Sequence, residues 1–114
     1  MFGDDSLAGS YHNDVLNAEP TNSESRLKLV EEIKNRAKGC IGSRNFPVAV
    51  QLYSKAIEVM ENELESSASL AVLRANRSMC HLSIGNAASA LEDAVEAESL
   101  DPSYIKVYYR KAAA

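Results

Sequence analysis

The sequence has no long apolar run and little cysteine. No stretch approaches the roughly 18–20 apolar residues that a membrane-spanning helix needs, so we expect no membrane segment. The start, MFGDDSLAGS, has neither the basic region nor the apolar region of a secretory signal, so we expect no signal peptide. Cys40 and Cys80 have neither metal-ligand spacing nor the density of a disulfide scaffold. We therefore predict reduced, buried thiols in a cytoplasmic protein, with the nucleus as a second compartment.

The sequence also lacks the motifs of the common enzyme classes. It contains no nucleophile–base pair, no glycine-rich phosphate loop and no cluster of metal ligands. His12 lies in a polar N-terminal segment, and His81 lies at a helix-contact position where we expect a packed side chain. We therefore predict no enzymatic activity, no metal site and no cofactor.

Charge is unevenly distributed along the chain. The sequence has 16 acidic and 12 basic residues, and residues 1–25 hold five of the acids but no lysine or arginine. The remainder therefore carries 11 acids and 12 bases, a balance of +1. Because residues 1–23 are rich in Ser, Asn, Asp and Gly with little apolar periodicity, we predict a disordered acidic tail. The near-neutral remainder shows no extended basic face, so we expect no nucleic-acid binding.

From about residue 24 onward, apolar residues recur at helical spacing. Thr21–Glu24 has the spacing of a capping box and predicts the start of a helix that ends at Gly42. A second helix is predicted to begin at Asn45 and Pro47, because proline is tolerated in the first turn. No segment shows the sustained alternation of a strand. The predicted fold class is all-α.

Three further helices are predicted in the second half of the chain. One spans about residues 70–83 and ends at Gly85, and the next is capped by Asn86. The last begins at Asp101 and Pro102, again a capping residue followed by a proline in the first turn. The prediction is thus about five helices.

Small residues recur at two offsets. Ala56 recurs 41 residues later as Ala97, and Ser78 recurs 34 residues later as Ala112. Small residues at such positions let paired helices approach closely and interlock their side chains, and a helix–turn–helix period of about 34 residues is typical of one class of helical repeat. The difference of seven residues between the offsets predicts an insertion in the first repeat. We expect it to lengthen the second helix through ENELESS.

Two segments carry a family resemblance. NFPVAVQLYSKAIEV (45–59) is similar to the second helix of a tetratricopeptide repeat, and residues 74–112 are similar to one whole repeat plus the first helix of the next. The resemblance covers roughly residues 27–114 and implies an α-solenoid of antiparallel helix pairs. We expect one domain at 24–114, with a first repeat at about 30–63 extended to 70 and a second at about 71–104. The first helix of a third repeat is expected at about 105–114.

The triplet NRS at 76–78, followed by YIKVYYRKA, resembles a narrower subset, the carboxylate-clamp domains. Those domains bind the C-terminal tail, ending Glu-Glu-Val-Asp, of cytosolic heat-shock chaperones of the 70-kDa and 90-kDa classes. The resemblance implies that Lys34, Asn76, Lys106 and Arg110 are peptide-binding residues. Lys38 lies at the fifth position of the clamp, where the subset has Asn. Ile41-Gly42 is a second departure, because the subset usually has an aromatic residue followed by Lys there.

The spacing of the cations agrees with this interpretation. Lys34 and Lys38 are four residues apart, as are Lys106 and Arg110, so each pair shares one helix face. Stacked first helices would bring both pairs and Asn76 to one groove. A terminal Asp offers that groove two carboxylates, each able to accept several charge-assisted hydrogen bonds.

Other interpretations of the same residues stay open. Lys106 and Arg110 could lie on the solvated face of a C-terminal helix, and Asn76 could be a satisfied core amide. Lys38 could indicate a groove adapted to another ligand. The predicted function is an adaptor or co-chaperone module that binds a chaperone tail. The alternative is a structural scaffold whose groove binds an internal or helical segment of a partner, or a copy of itself.

The last predicted helix contains Tyr104, Ile105, Tyr108 and Tyr109 without a following partner helix. In a helical repeat each first helix packs against a second one, so one side of this helix would stay uncovered. We therefore expect the chain to be part of something longer. We also expect a homodimer through residues 102–114.

Overall fold

The computed structural model describes residues 11–104 of the 114-residue chain. The helices are α1 (Asn13–Leu16), α2 (Ser23–Gly42), α3 (Phe46–Met60), α4 (Ser67–Ser83) and α5 (Ala87–Leu100). Helix α2 packs against α3, α3 against α4, and α4 against α5. Short connections join these neighbours, which makes them antiparallel. Within residues 11–104 there is no strand, and the predicted all-α solenoid of helix pairs is confirmed.

Most of the predicted helix boundaries are found in the structure. Helix α2 ends at Gly42, and Gly85 follows α4 with a φ of 81°, in the left-handed region that glycine adopts without a steric cost. The predicted capping box at Thr21–Glu24 is wrong by one residue. The cap is Asn22, whose side chain accepts a hydrogen bond from the backbone N–H of Ser25 at 2.8 Å.

Residues 102–104 are helical and continue the chain after α5. The carboxylate of Asp101 accepts a hydrogen bond from the backbone N–H of Tyr104 at 3.3 Å, as an N-cap does. This geometry confirms the predicted helix start at Asp101 and Pro102. The division of the chain into repeats stays a prediction, in which α2–α3 and α4–α5 are the two helix pairs.

The core lies where the helices approach one another. The largest fully buried side chains are those of Ile33, Leu52, Leu73 and Cys80. Small residues of the repeat pattern are buried, with Ala56 and Ala97 fully enclosed, and the hydroxyl of Ser78 donates a hydrogen bond to the backbone carbonyl of Ala90 at 2.7 Å. The repeat of small residues in the sequence therefore indicated true contact positions.

Both cysteines are free and buried, as the sequence predicts. Burial raises the pKa of the Cys40 and Cys80 thiols, because the thiolate is poorly solvated there. These thiols behave as small core residues.

The predicted extension of the second helix through ENELESS is wrong. Helix α3 ends at Met60, residues 61–66 form a connecting loop, and Glu65 has a positive φ of 56°. The carboxylate of Glu63 accepts a hydrogen bond from the Ser23 hydroxyl at 2.5 Å and forms an ion pair with Arg26. These two partners lower the pKa of Glu63. The loop thus brings a carboxylate to the start of α2, which a straight helix would not do.

The predicted disorder of residues 1–23 does not hold for residues 11–22. Helix α1 places Val15 in the core with only 5% of its surface exposed. Arg36 of α2 donates two hydrogen bonds to the carboxylate of Asp14, at 2.7 and 2.8 Å, and this contact lowers the pKa of Asp14. Val15, the partly buried Leu16 and one ion pair hold this segment. Two adjacent apolar residues are too few to show the periodicity that predicts a helix.

Candidate functional site

Three of the five predicted peptide-binding residues lie in the described part of the chain. Lys34 and Lys38 lie one turn apart on α2, and Asn76 lies on α4. Lys106 and Arg110 lie outside residues 11–104. In the predicted division into repeats, helices α2 and α4 are the first helices of their pairs. Residues from both line one surface pocket that includes Lys34.

The two predicted clamp lysines on α2 face solvent to different degrees. The Lys34 side chain is 43% exposed, and its ammonium lies 3.9 Å from a carboxylate oxygen of Glu31. An exposed pair of this kind contributes little to stability, because water and salt screen it. Lys38 is exposed one turn further along the helix. Lys34 can therefore exchange its contact with Glu31 for a ligand carboxylate at little cost.

Asn76 is half-buried and lies against the buried Tyr53 of α3. Burial raises the pKa of the Tyr53 phenol to about 12, and a hydrogen bond with the Asn76 side chain opposes that rise. An amide has two N–H donors and an oxygen with two lone pairs, so one contact with Tyr53 leaves several unused. The core contact of Asn76 and a role in ligand binding are therefore compatible.

An apolar pocket adjoins Lys34 and lies toward the N-terminal ends of α2 and α4. We call it the α2–α4 pocket, and its apolar residues are Leu27, Val30, Met60, Val72 and Leu73. Val30, Met60 and Leu73 are buried and form its floor, whereas Leu27 is 51% exposed at its mouth. Val72 precedes Asn76 by one helical turn. The pocket therefore includes Lys34 and ends about one helical turn before Asn76 along α4.

The second departure from the clamp pattern has a structural counterpart. Ile41 is half-buried and packs against the hydrophobic core, and Gly42 is exposed as the last residue of α2. No aromatic wall is supplied by these two residues.

A charged network that the sequence reasoning missed joins α3, α4 and α5. Asp93 of α5 is only 2% exposed, and Arg77 of α4 donates two hydrogen bonds to its carboxylate, each 2.7 Å long. Arg74 adds a third at 3.1 Å, and Arg77 also donates to the hydroxyl of Ser54 on α3 at 2.9 Å. The imidazole of His81 is packed as predicted, 13% exposed, with Nε2 3.8 Å from the Asp93 carboxylate.

This network has a structural role, because its carboxylate is enclosed by donors from the protein itself. The sequence signal was present, since Asp93 lies three residues after Ala90 and four before Ala97, on the buried stripe of α5. A carboxylate at such a position needs a cationic partner nearby.

The described residues offer neither a metal site nor a membrane span. Between residues 11 and 104, no group of three or more His, Cys, Asp or Glu side chains could hold a metal ion. In the same range, no helix combines the length and apolar character needed to cross a bilayer.

Comparison with known proteins finds several curated relatives. The chain is 37% identical over 91 residues to serine/threonine-protein phosphatase 5 of Rattus norvegicus. It is 32% identical over 85 residues to Hsp70-Hsp90 organizing protein 3 of Arabidopsis thaliana. It is 29% identical over 98 residues to small glutamine-rich tetratricopeptide repeat-containing protein 2 of Saccharomyces cerevisiae. No family model matches the chain, and no solved structure matches it either.

These matches cover most of this chain but little of each relative. They span 80%, 75% and 86% of the chain, against 17%, 14% and 26% of the three relatives. The shared part is therefore a segment of much longer proteins whose names differ in the activities they state.

Proposed function

Because the chain belongs to the tetratricopeptide repeat family, we propose that it is a protein-interaction module, not an enzyme, that binds the acidic C-terminal tail of a heat-shock chaperone. The expected partner is of the 70-kDa or 90-kDa class, in the cytoplasm. The observation that carries the proposal is a pocket between α2 and α4 that includes Lys34 and is lined by Val72, one helical turn before Asn76. A relative named Hsp70-Hsp90 organizing protein 3 supports the choice of partner.

The chemistry of the groove suits a terminal carboxylate. Lys34 and Lys38 supply two ammonium groups on one face of α2, and the Asn76 amide supplies a neutral donor from α4. Each hydrogen bond to a charged group is worth about 1.5–3 kcal/mol. With Lys106 and Arg110 as further donors, four or five such bonds less the ordering cost agree with micromolar affinity, about −8 kcal/mol.

A pair of matched lysine variants on α2 tests the role of Lys34. Lys34→Ala should weaken binding of a labelled Glu-Glu-Val-Asp peptide by roughly tenfold to a hundredfold, because one carboxylate oxygen loses its partner. Lys28→Ala is the control, since Lys28 also lies on α2 and pairs with an acidic neighbour, Glu24. Equal losses of affinity in the two variants, or none in either, would remove Lys34 from the site.

The alternative is a scaffold that binds an internal or helical segment of a partner, or a second copy of the chain. Such a ligand has no free carboxylate at the binding site. The two functions therefore differ in their response to peptide amidation, which removes the terminal charge but leaves the side chains unchanged.

A further inference from the structure

Residues 11–16, which include α1, dock on α2 and α3 as a small separate unit that we call the docking segment. The backbone N–H groups of Val15 and Leu16 donate hydrogen bonds to the carbonyl of His12, at 3.1 and 2.9 Å. Within residues 11–104, no backbone hydrogen bond joins the docking segment to α2 or α3. The segment can therefore leave its seat without breaking the hydrogen-bonding pattern of another helix.

Side chains hold the docking segment in a specific but shallow seat. Val15 is 5% exposed in the core, and Leu16 packs against the core while partly buried. The carboxylate of Asp14 accepts two hydrogen bonds from the Arg36 guanidinium, but its side chain is 64% exposed, so water and salt screen this pair. His12 fits the seat poorly, because its Nδ1 is enclosed without a hydrogen-bond partner among the described residues.

The connection between the docking segment and α2 can act as a hinge. Residues 17–22 form no helix, and residues 18–20 line a surface pocket together with residues of α3. Arg36, which holds Asp14, lies about 20 Å along α2 from Ser23, at about 1.5 Å per residue. The connection therefore runs back beside the helix. Six extended residues span about 20 Å, so a released segment can reach a second molecule.

We propose that residues 11–16 exchange between two copies of this chain, so that Asp14 and Val15 of each copy dock on α2 and α3 of the other. The identical segment makes the same contacts in both arrangements, so exchange loses none of them and costs only the entropy of association. The seat selects this occupant, because it places an apolar site next to Arg36. The contact is separate from the association expected through residues 102–114, since it uses α2 and α3.

A mixture of two charge-reversal variants tests the exchange. Full chains that carry Asp14→Arg or Arg36→Asp are sedimented alone and as an equimolar mixture. Alone, each variant brings like charges together, both within one chain and in an exchanged dimer. In an exchanged dimer of the two variants, the introduced arginine faces the introduced aspartate, and the unmodified Asp14 faces the unmodified Arg36. The mixture should therefore associate at least about tenfold more tightly than either variant alone.

Two controls make this result specific. Glu24→Arg and Lys28→Asp make the same charge changes at an exposed pair within α2, and their mixture should show no gain. Adding Val15→Ser to both charge-reversal variants removes the apolar anchor and should abolish the gain. Far-UV circular dichroism and thermal unfolding show whether each variant keeps its fold.

A shortened connection keeps the test decisive if Arg36→Asp does not fold. Deleting residues 18–21 leaves three Cα steps between Leu16 and Ser23, which span at most about 11 Å. The segment then cannot return to Arg36 of its own chain. This variant should form dimers or larger assemblies at concentrations where the unmodified chain is a monomer, and Val15→Ser should dissociate them.

The outcomes decide for or against the exchange without any tail peptide, so the proposed function is tested separately. A gain in the mixture that the control pair lacks and that Val15→Ser removes supports the exchange. The proposal is wrong if folded charge-reversal variants show no gain, if the control pair gains equally, or if the gain survives Val15→Ser. A monomeric shortened chain would also overturn it.

Discussion

Replacing Asp93 by asparagine should strongly destabilise the fold, because Asp93 joins two arginines at the contact of α4 and α5. The carboxylate is 2% exposed and accepts two hydrogen bonds from Arg77 and one from Arg74. The asparagine side chain would keep the size of the aspartate but would direct an N–H₂ group at one of the arginine donors. The guanidinium of Arg77 would then be left without its counter-ion in a partly buried site.

The expected loss follows from the geometry of this pair. Removing one partner of a buried, hydrogen-bonded ion pair costs about 3–5 kcal/mol in the free energy of unfolding. A small domain has a total stability of about 5–15 kcal/mol, so the variant should lose a large part of it. The midpoint of thermal unfolding should fall by on the order of 15 °C.

Urea denaturation followed by far-UV circular dichroism measures this loss. Glu92→Gln is the control, because Glu92 precedes Asp93 on α5 and is exposed. The double variant Arg77→Met/Asp93→Leu replaces the ion pair by apolar side chains and should be more stable than Asp93→Asn. A loss under about 1 kcal/mol in Asp93→Asn would show that the network is not what joins α4 to α5.

Three other predictions concern charge and association. Lys38→Asn should lower the salt dependence of tail-peptide binding while keeping the affinity at high salt, because a screened cation is replaced by a neutral amide; a steeper salt dependence would contradict this. Glu63 has a pKa below its ordinary value of 4.5, so its contribution to stability is present above that pH and is lost as the pH falls through the lowered pKa. An acid titration of stability should therefore show a smaller loss in Glu63→Gln than in the unmodified chain, with the exposed Glu98→Gln as control. Sedimentation across an approximately hundredfold concentration range should show a dimer, which we expect to form through residues 102–114. If the exposed face of α5 takes part in this contact, Leu91→Asp or Val95→Asp should weaken the dimer. A monomer throughout the range would refute self-association.

The helices could be predicted because their buried faces are periodic. Leu52, Ala56 and Val59 of α3 recur at helical spacing, and all three are buried. Helix ends were also predictable where one residue type decides them, as Gly85 does after α4.

The features that the sequence reasoning missed depend on contacts between distant residues. Residues 61–66 were expected to extend a helix because the repeat offsets differ by seven residues, which gives the length of an insertion but not its path. The partners of Glu63, Ser23 and Arg26, lie 40 and 37 residues away in the sequence. Val15 has no periodic pattern around it, and it is buried only because the helices α2 and α3 offer a site for it. Local propensity carries no information about either contact.

The candidate site was predictable to a limited degree. The phase of the repeats assigns Lys34 and Asn76 to the first helices of two pairs, and these residues lie on α2 and α4. The α2–α4 pocket could not be predicted in the same way, because its lining comes from three helices, including Met60 at the end of α3 and Ala68 at the start of α4.

Titration of the chain with two forms of one labelled peptide tests the central claim most directly. Both peptides end in Glu-Glu-Val-Asp, one with a free terminal carboxylate and the other with a terminal amide. Binding through Lys34, Asn76 and the other clamp residues predicts micromolar affinity for the free acid and a loss of at least about tenfold for the amide, because charge-assisted hydrogen bonds disappear. Equal affinity for the two forms, or binding of neither, would contradict carboxylate recognition by this chain.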